Sequence, residues 1–133
     1  MSTASVPSSP GLVIASVTVD CTDAARLAGF WAQVLGRQLA DGAHQHFAML
    51  APNGAEPMMM FIAVPDRTPG KNSWHLDLRP AGSADQLESE LTRIRGLGAE
   101  EIGSYREYGH RWTTFADPEG NRFCVGVEDP QAV

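Results

Sequence analysis

The feature that most constrains the fold is a hairpin pattern that occurs twice in the chain. The second copy runs from Trp112 to Val125, where two apolar, strand-forming stretches flank the turn sequence Asp-Pro-Glu-Gly-Asn. Proline presets φ at the second position of a tight turn, and glycine accepts the positive φ that such turns need. A weaker copy runs from Phe47 to Ile62, and Pro118 follows Pro52 by 66 residues. The sequence therefore predicts one module used twice.

An amphipathic helix precedes the first hairpin. Apolar residues recur at spacings of three and four between Leu27 and Leu35, which is the pattern of one helix face. Asp23 is a suitable N-cap for this helix, and Gly36 is a suitable end. We predict a helix from Asp23 to Gly36, preceded by a strand from Leu12 to Val19.

A second helix is predicted at the equivalent place in the second half. Ser83 to Gln86 has the pattern of a capping box, and glycines at 96 and 98 end the helix. A strand-like segment, Ser73 to Leu78, precedes it, and three β segments follow each helix. The order is therefore βαβββ twice, an α+β fold in one domain of residues 12–128, with modules 12–66 and 72–128. The predicted buried stripe of the second helix is Ala84, Leu87, Leu91 and Ile94.

Composition narrows the classes of protein. The chain has 133 residues, 43% of them apolar, and a formal charge of −6 with its Lys and Arg residues scattered, which argues against nucleic-acid binding. No segment has the roughly 20 apolar residues of a membrane span. Residues 1–11 read as a flexible tail, and Cys21 and Cys124 form neither a disulfide framework nor a zinc motif. We expect a cytoplasmic protein that binds neither nucleic acid nor membrane.

Four features in this order resemble the vicinal oxygen chelate superfamily, which includes glyoxalase I, bleomycin-resistance proteins and extradiol dioxygenases. They are the paired modules, the helix end Phe30-Trp-Ala-Gln-Val-Leu-Gly36, the strand Trp74-His-Leu-Asp-Leu78 and the Asp-Pro-Glu-Gly-Asn turn. Among its members, the chain is most similar to small glyoxalase-like domains, over about residues 12–128. The resemblance implies that the two modules form a curved eight-stranded mixed sheet around a cavity, with the helices on its outer face.

Strand alternation predicts which residues face that cavity. Leu76 and Leu78 are apolar and are expected under the second helix, so His75, Asp77 and Arg79 point inward. The same reasoning directs Thr18 and Asp20 inward, places Trp112 on a cavity wall and assigns Trp74 to the core. The register of the fourth strand stays open by one residue. The predicted ligand-binding residues are Ser16, Thr18, Met60, Ile62, His75, Asp77, Trp112 and Cys124.

Metal binding is a separate question that the resemblance raises. Metalloenzymes of the superfamily take ligands from four positions, which here carry Ser16, His75, Cys124 and either Met60 or Ile62. Only His75 is a usual ligand in such a site, and a catalytic divalent ion generally needs three or more protein donors. We therefore expect no cofactor, unless Asp20 or Asp77 completes a metal site.

The leading hypothesis is a metal-independent protein whose cavity binds or sequesters a small, partly apolar or aromatic molecule. His75 is the best candidate for acid–base chemistry, so turnover stays open. Asp77 lies on the same strand face and either shares a ligand, or a proton through a water, with His75 or pairs with Arg79. The alternative is a divalent-metal-dependent lyase, isomerase or dioxygenase that uses His75. A third possibility is an interaction module with a collapsed cavity. Relatives of this size often form homodimers, and an open sheet edge at the N-terminal module makes a homodimer reasonable here, although nothing in the chain requires it.

Overall fold

The computed structural model describes residues 14–54, 56–67 and 69–133, so the predicted tail and the first residues of the predicted first strand lie outside the described part. The α+β class and the tandem order of the two modules are confirmed. None of the helices in the described ranges is long and apolar enough to cross a bilayer. The elements in chain order are β1 (Ser16–Cys21), α1 (Ala24–Leu35), β2 (Phe47–Met49), β3 (Met58–Ala63), β4 (Leu76–Leu78), α2 (Leu87–Gly96), β5 (Glu100–Glu107), β6 (His110–Ala116) and β7 (Arg122–Glu128).

The two modules have the same strand order. In the first sheet the order is β1-β3-β2, and in the second it is β4-β7-β6-β5. The first strand of each module pairs in parallel with its last strand, while the hairpins pair antiparallel. This parallel pairing requires a crossover connection, which α1 and α2 supply in their respective modules.

The single eight-stranded sheet of the prediction is not found in the described residues, which form seven strands in two sheets. The strand expected directly after α1 is reduced to an isolated bridge between Leu39 and Leu50. Only Leu39 and Ala40 are apolar before the turn at Asp41 and Gly42, so this segment has too few alternating apolar residues for a strand. The bridge joins Leu39 to the residue after β2, so this strand is missing at the β2 edge of the first sheet. The other edge strand, β1, is not paired with β4, and the two belong to separate sheets.

Helix α1 forms as the sequence predicts. The Asp23 carboxylate accepts a hydrogen bond from the Arg26 amide at 3.2 Å, and Gly36 ends the helix with a φ of 64°. The apolar stripe is buried against the first sheet, where Met59 and Phe61 of β3 are also buried. The helix therefore covers one face of this sheet.

Helix α2 differs from the prediction in its first turn. Residues Ala84–Gln86 form a 3-10 turn, in which the Ser83 hydroxyl accepts from the Asp85 amide at 3.2 Å. The Gln86 amide donates to the Ser83 carbonyl instead of to its side chain, so the predicted capping box is wrong in detail. Leu87, Leu91 and Ile94 are buried as predicted, but Ala84 is exposed. A 3-10 turn has three residues per turn, which moves Ala84 away from the buried stripe.

The Asp-Pro-Glu-Gly-Asn turn of the second module holds α1 of the first. The Glu119 carboxylate accepts hydrogen bonds from the Thr22 and Asp23 amides at 2.8 and 3.0 Å. The buried Asp117 carboxylate accepts from the Trp31 indole N–H at 3.0 Å. Amides before the first turn of a helix need acceptors, and here a distant acidic side chain supplies them. The turn therefore fixes the position of one module relative to the other.

An aromatic cluster joins the modules in the core. Phe123 of β7 packs with its ring centroid 4.8 Å from Trp31 of α1 and 5.6 Å from Phe115 of β6. Trp74, which the alternation assigned to the core, is 88% exposed, so that prediction is wrong. It lies two residues before β4, which begins only at Leu76, so the alternation along that strand does not extend to it.

Candidate functional site

The concave face of the four-stranded sheet lines an open cavity of about 1260 Å³. Alternate residues of β4, β6 and β7 point into it, because their neighbours along each strand pack toward the core and α2. The structure therefore brings together the predicted site residues of the second module. These are His75, Asp77, Trp112 and Cys124, and the structure adds Thr114 and Gly126 to the same cavity.

A polar row crosses the centre of this face. Asp77 of β4 lies opposite Cys124 of β7, and Cys124 lies opposite Thr114 of β6. The Thr114 hydroxyl and the Cys124 thiol are 3.3 Å apart. Polar atoms from three adjacent strands are thus presented side by side to whatever occupies the cavity.

His75 and Asp77 form a hydrogen-bonded pair at the edge of the row. The His75 Nε2 atom lies 3.1 Å from Asp77 Oδ1, and the two side chains are 43% and 77% exposed. Asp77 therefore pairs directly with His75. Within the described part of the chain it forms no ion pair with Arg79. A carboxylate oxygen only accepts, so Nε2–H donates in this pair, and Nδ1 makes no hydrogen bond with the described residues. The pair can bind a ligand or exchange a proton with one.

Cys124 is not poised as a nucleophile. Burial raises the pKa of its thiol, and the negative charge of Asp77 raises it further, against the lowering effects of the Thr114 hydrogen bond and the Lys71 charge. The thiolate is the reactive form of cysteine, so a raised pKa leaves the thiol protonated and weakly reactive. Cys124 is therefore a small, polarizable and weakly reactive side chain on this face.

Trp112 forms the aromatic wall of the cavity. Its ring stacks on Tyr105 of β5 with a centroid separation of 5.5 Å and an interplanar angle of 28°. On its other side Trp112 lies opposite Gly126 of β7. A methyl group at Gly126 would come within 2.5 Å of Trp112 Cβ, so only glycine fits there. Trp112 is therefore held between two neighbouring strands.

Tyr108 lies at the rim and was not among the residues predicted from the sequence. It is 81% exposed, lines the cavity and has a φ of 54°, a left-handed conformation that is unfavourable for a tyrosine. The turn is held by the C-terminal segment, since the Gly109 amide donates to the Ala132 carbonyl at 2.9 Å. The available signal was the two-residue Tyr-Gly connection between strand-like stretches, which is typical of a tight hairpin.

A second cavity, of about 660 Å³, lies between the edge strands β1 and β4. Thr18 and Asp20 of β1 line it, as does the exposed Trp74. Lys71, His75 and Arg122 line both this cavity and the larger one. The two cavities therefore meet at these residues.

The other predicted residues of the first module lie apart from these cavities. Met60 pairs with Thr18 and Ile62 with Asp20 across β1 and β3, which settles the open register and places both on the sheet face away from α1. Ser16, Met60 and Ile62 line neither of the two cavities. The reason is that the described strands form two sheets, so the first-module face does not continue the concave face of the second.

The four positions at which metalloenzymes of the superfamily hold an ion do not fit a metal in this chain. His75 and Cys124 are neighbours on the second sheet, but Ser16 and the apolar Met60 and Ile62 lie on the first. A different set, His75, Asp77 and Cys124, has potential donor atoms within 4.8 Å of one another. Any metal in the larger cavity would therefore depend on Asp77, which the family pattern does not use.

Similar folds occur in several solved structures. A glyoxalase/bleomycin resistance protein/dioxygenase family enzyme from Burkholderia phytofirmans PsJN superposes with a TM-score of 0.71 at 19% identity, covering 85% of this chain and 96% of that one. A lactoylglutathione lyase from Agrobacterium tumefaciens has a TM-score of 0.63 at 16% identity, with coverages of 88% and 94%. TnmS3, an antibiotic binding protein from Streptomyces sp. CB03234, has a TM-score of 0.64 at 23% identity, with coverages of 89% and 97%.

At these identities the structural similarity establishes the fold alone. No curated protein matches the chain significantly. The family model of the glyoxalase-like domain, by contrast, matches residues 16–126, which include both modules. The chain therefore belongs to the glyoxalase-like domain family.

Proposed function

We propose that this domain binds a small, partly apolar or aromatic molecule on the concave face of the four-stranded sheet, without a metal ion. The observation that carries the proposal is the open cavity with Trp112 as its wall. Ligand sites typically combine an apolar or aromatic surface with a few polar groups that orient the ligand. Trp112 supplies the aromatic surface, while the row of Asp77, Cys124 and Thr114 supplies the polar groups.

His75 gives the site a second capability. Its imidazole is solvent-accessible and is hydrogen-bonded to Asp77, the arrangement in which a histidine can accept or donate a proton to a bound molecule. Sequestration of the ligand and its acid–base turnover both fit this arrangement. A His75→Ala variant separates these roles from a structural one, because loss of binding or turnover with unchanged melting temperature supports a role in the site.

The structural neighbours are consistent with this proposal. One is an antibiotic binding protein and another is a lactoylglutathione lyase, so proteins of this fold include both a binding protein and an enzyme. Their identities to this chain are 23% and 16%, so they support the type of function and not a particular ligand.

A fluorescent dye tests the proposal directly. N-phenyl-1-naphthylamine is an uncharged aromatic molecule whose emission rises in apolar surroundings, and we expect saturable binding to the wild-type domain. Trp112→Ala should weaken that binding about tenfold, because stacking on an aromatic side chain is lost. Trp74→Ala is the matched control, since Trp74 is exposed but lies outside the larger cavity. Equal effects of the two substitutions, or no saturable binding, would contradict the proposal.

A divalent-metal-dependent lyase, isomerase or dioxygenase is the second candidate function. It is favoured by the close approach of potential donors from His75, Asp77 and Cys124. Plasma mass spectrometry on tag-free protein purified without chelator tests it, together with melting temperatures in Ni, Zn, Mn and Fe(II). About one ion per chain, with a stabilisation that Asp77→Asn abolishes, would replace the metal-free proposal. No ion and no stabilisation would count against this candidate.

A further inference from the structure

Among the described residues, the side chains that line both cavities are Lys71, His75 and Arg122. All three are basic, whereas the whole chain has a formal charge of −6. We call these three residues the basic junction. A concentration of one charge type that opposes the net charge of the chain indicates a local preference for ligands of opposite charge.

Arg122 is the central member of the basic junction. Its backbone is fixed by Asn72, whose side-chain oxygen accepts from the Arg122 amide at 2.8 Å and whose Nδ2 donates to the Arg122 carbonyl at 3.1 Å. The side chain is half-buried, yet its guanidinium makes no hydrogen bond or ion pair with the part of the chain that the structure describes. By contrast, Arg95 is paired with Glu101 and Arg106 with Asp129.

The carboxylates near the basic junction do not neutralise Arg122. Both oxygens of Asp117 accept hydrogen bonds within its own turn or from Trp31. Asp77 is bonded to His75, and Asp20 lies across the smaller cavity on β1. The guanidinium fork is therefore available to an acceptor from outside the chain, and its geometry matches the two oxygens of a carboxylate, sulfonate or phosphate.

We infer that the ligand of the larger cavity carries an anionic group that binds at the basic junction, while its aromatic part stacks on Trp112. This inference rests on the proposed function. Arg122 and Gly126, which lies opposite Trp112, are four residues apart on β7, a separation of roughly 13 Å along the strand. Because the Arg122 side chain is long, the distance between its guanidinium and the Trp112 ring can be shorter than this backbone separation. A molecule with two or more rings and one anionic substituent can therefore contact both Arg122 and Trp112.

A matched pair of dyes tests the anionic group separately from the aromatic part. 8-Anilinonaphthalene-1-sulfonate has the same rings as N-phenyl-1-naphthylamine and adds one sulfonate. We expect the sulfonated dye to bind the wild-type domain more tightly than the uncharged one, with an affinity that falls as salt is added. Arg122→Met should weaken binding of the sulfonated dye about tenfold and leave the uncharged dye unchanged, because a charge-assisted hydrogen bond is lost. Lys71→Met should act in the same direction with a smaller effect.

Arg26→Met is the control for charge alone. Arg26 is exposed on α1 and lines neither cavity, so its removal should leave the preference for the sulfonated dye intact. Melting temperatures should match the wild type in each variant, since neither the Arg122 nor the Arg26 side chain has a partner among the described residues whose loss would destabilise the fold.

The outcomes distinguish this inference from the proposed function. If the wild type binds the uncharged dye but shows no preference for the sulfonated one, the inference is overturned and the proposed function stands. The inference is also overturned if Arg122→Met weakens both dyes equally, or if Arg26→Met abolishes the preference instead. If the uncharged dye shows no binding that depends on Trp112, the proposed function itself fails.

Discussion

Gly126 of β7 lies directly opposite Trp112 of β6, and a Cβ atom at Gly126 would meet the Trp112 Cβ at 2.5 Å. Tyr105 lies opposite Trp112 on the other side and stacks on its ring. Two neighbours therefore position Trp112, the aromatic wall of the cavity. Gly126 leaves room for it because glycine has no side chain, and the Tyr105 ring stacks on it. This relationship leads to the first prediction.

Gly126→Ala should displace Trp112 and destabilise the domain by about 1–3 kcal/mol, because the added methyl group overpacks a cross-strand contact. Urea denaturation measures the change in free energy of unfolding, and near-ultraviolet circular dichroism measures the loss of the Tyr105 stack. Gly29→Ala is the control, because a Cβ at Gly29 in α1 meets nothing within 4 Å. It should stabilise the helix by about 0.5–1 kcal/mol. A neutral effect of Gly126→Ala would show that the sheet relaxes around it.

Tyr108→Asn should stabilise the domain and weaken dye binding at the same time. Asparagine followed by glycine is favoured in a two-residue hairpin turn, and it tolerates the left-handed φ of 54° better than tyrosine does. We expect a gain of about 1 kcal/mol in the free energy of unfolding. Tyr108→Ala removes the same ring but keeps a residue that disfavours positive φ, so it should weaken binding without the gain. Equal stability of the two variants would contradict backbone strain at this turn.

Asp117→Ala should cost about 3 kcal/mol of stability, because it leaves buried donors without their acceptor. The Trp31 indole N–H and the Glu119 and Asn121 amides all donate to this carboxylate. Trp31→Phe removes only the indole donor and should cost less. Thermal and urea denaturation of both single variants and the double variant measure the coupling free energy between Asp117 and Trp31. A coupling free energy near zero would contradict this prediction.

Alkylation of Cys124 by iodoacetamide should be slower than that of a free cysteine, whose pKa is about 8.5. Burial and the Asp77 charge raise the pKa of the Cys124 thiol, so its thiolate fraction at any given pH is smaller and rises only at higher pH. Asp77→Asn should lower the pKa of the Cys124 thiol and accelerate its alkylation. The acceleration should be partial, because burial, which the substitution leaves unchanged, is the larger cause of the raised pKa. Cys21 is an internal control, because burial and nearby acidic groups raise the pKa of its thiol to about 11. Faster alkylation of Cys124 than of the denatured chain would refute the raised pKa.

Local sequence patterns predicted most of the secondary structure. The stripe from Leu27 to Leu35, with Asp23 before it, specifies a helix through contacts within one segment, and it forms as predicted. The first turn of α2 was less predictable, because 3-10 and α-helical turns share the same capping residues. The strand expected near Leu39 does not form for a similar reason. Two adjacent apolar residues form either an isolated bridge or a strand, and the neighbouring strands decide which.

The candidate site was also predicted correctly where the argument was local and incorrectly where it depended on the whole sheet. Alternation on β4 and β7 predicted that His75, Asp77 and Cys124 share one face, and the structure places them on one cavity wall. The same reasoning grouped Ser16 and Met60 with them, which requires a continuous sheet that the described strands do not form. Whether these first-module residues contact a ligand therefore stays a prediction.

The sequence by itself determined the two modules, their helices, the hairpin turns and the face of each strand, because these follow from spacing and turn chemistry over a few residues. Only the tertiary structure decided which faces meet. It brought Glu119 to the start of α1, exposed Trp74, held Tyr108 at the rim and gathered Lys71 and Arg122 beside His75. These contacts join residues far apart in the chain, and their energies depend on the packing of whole sheets, which no local pattern encodes.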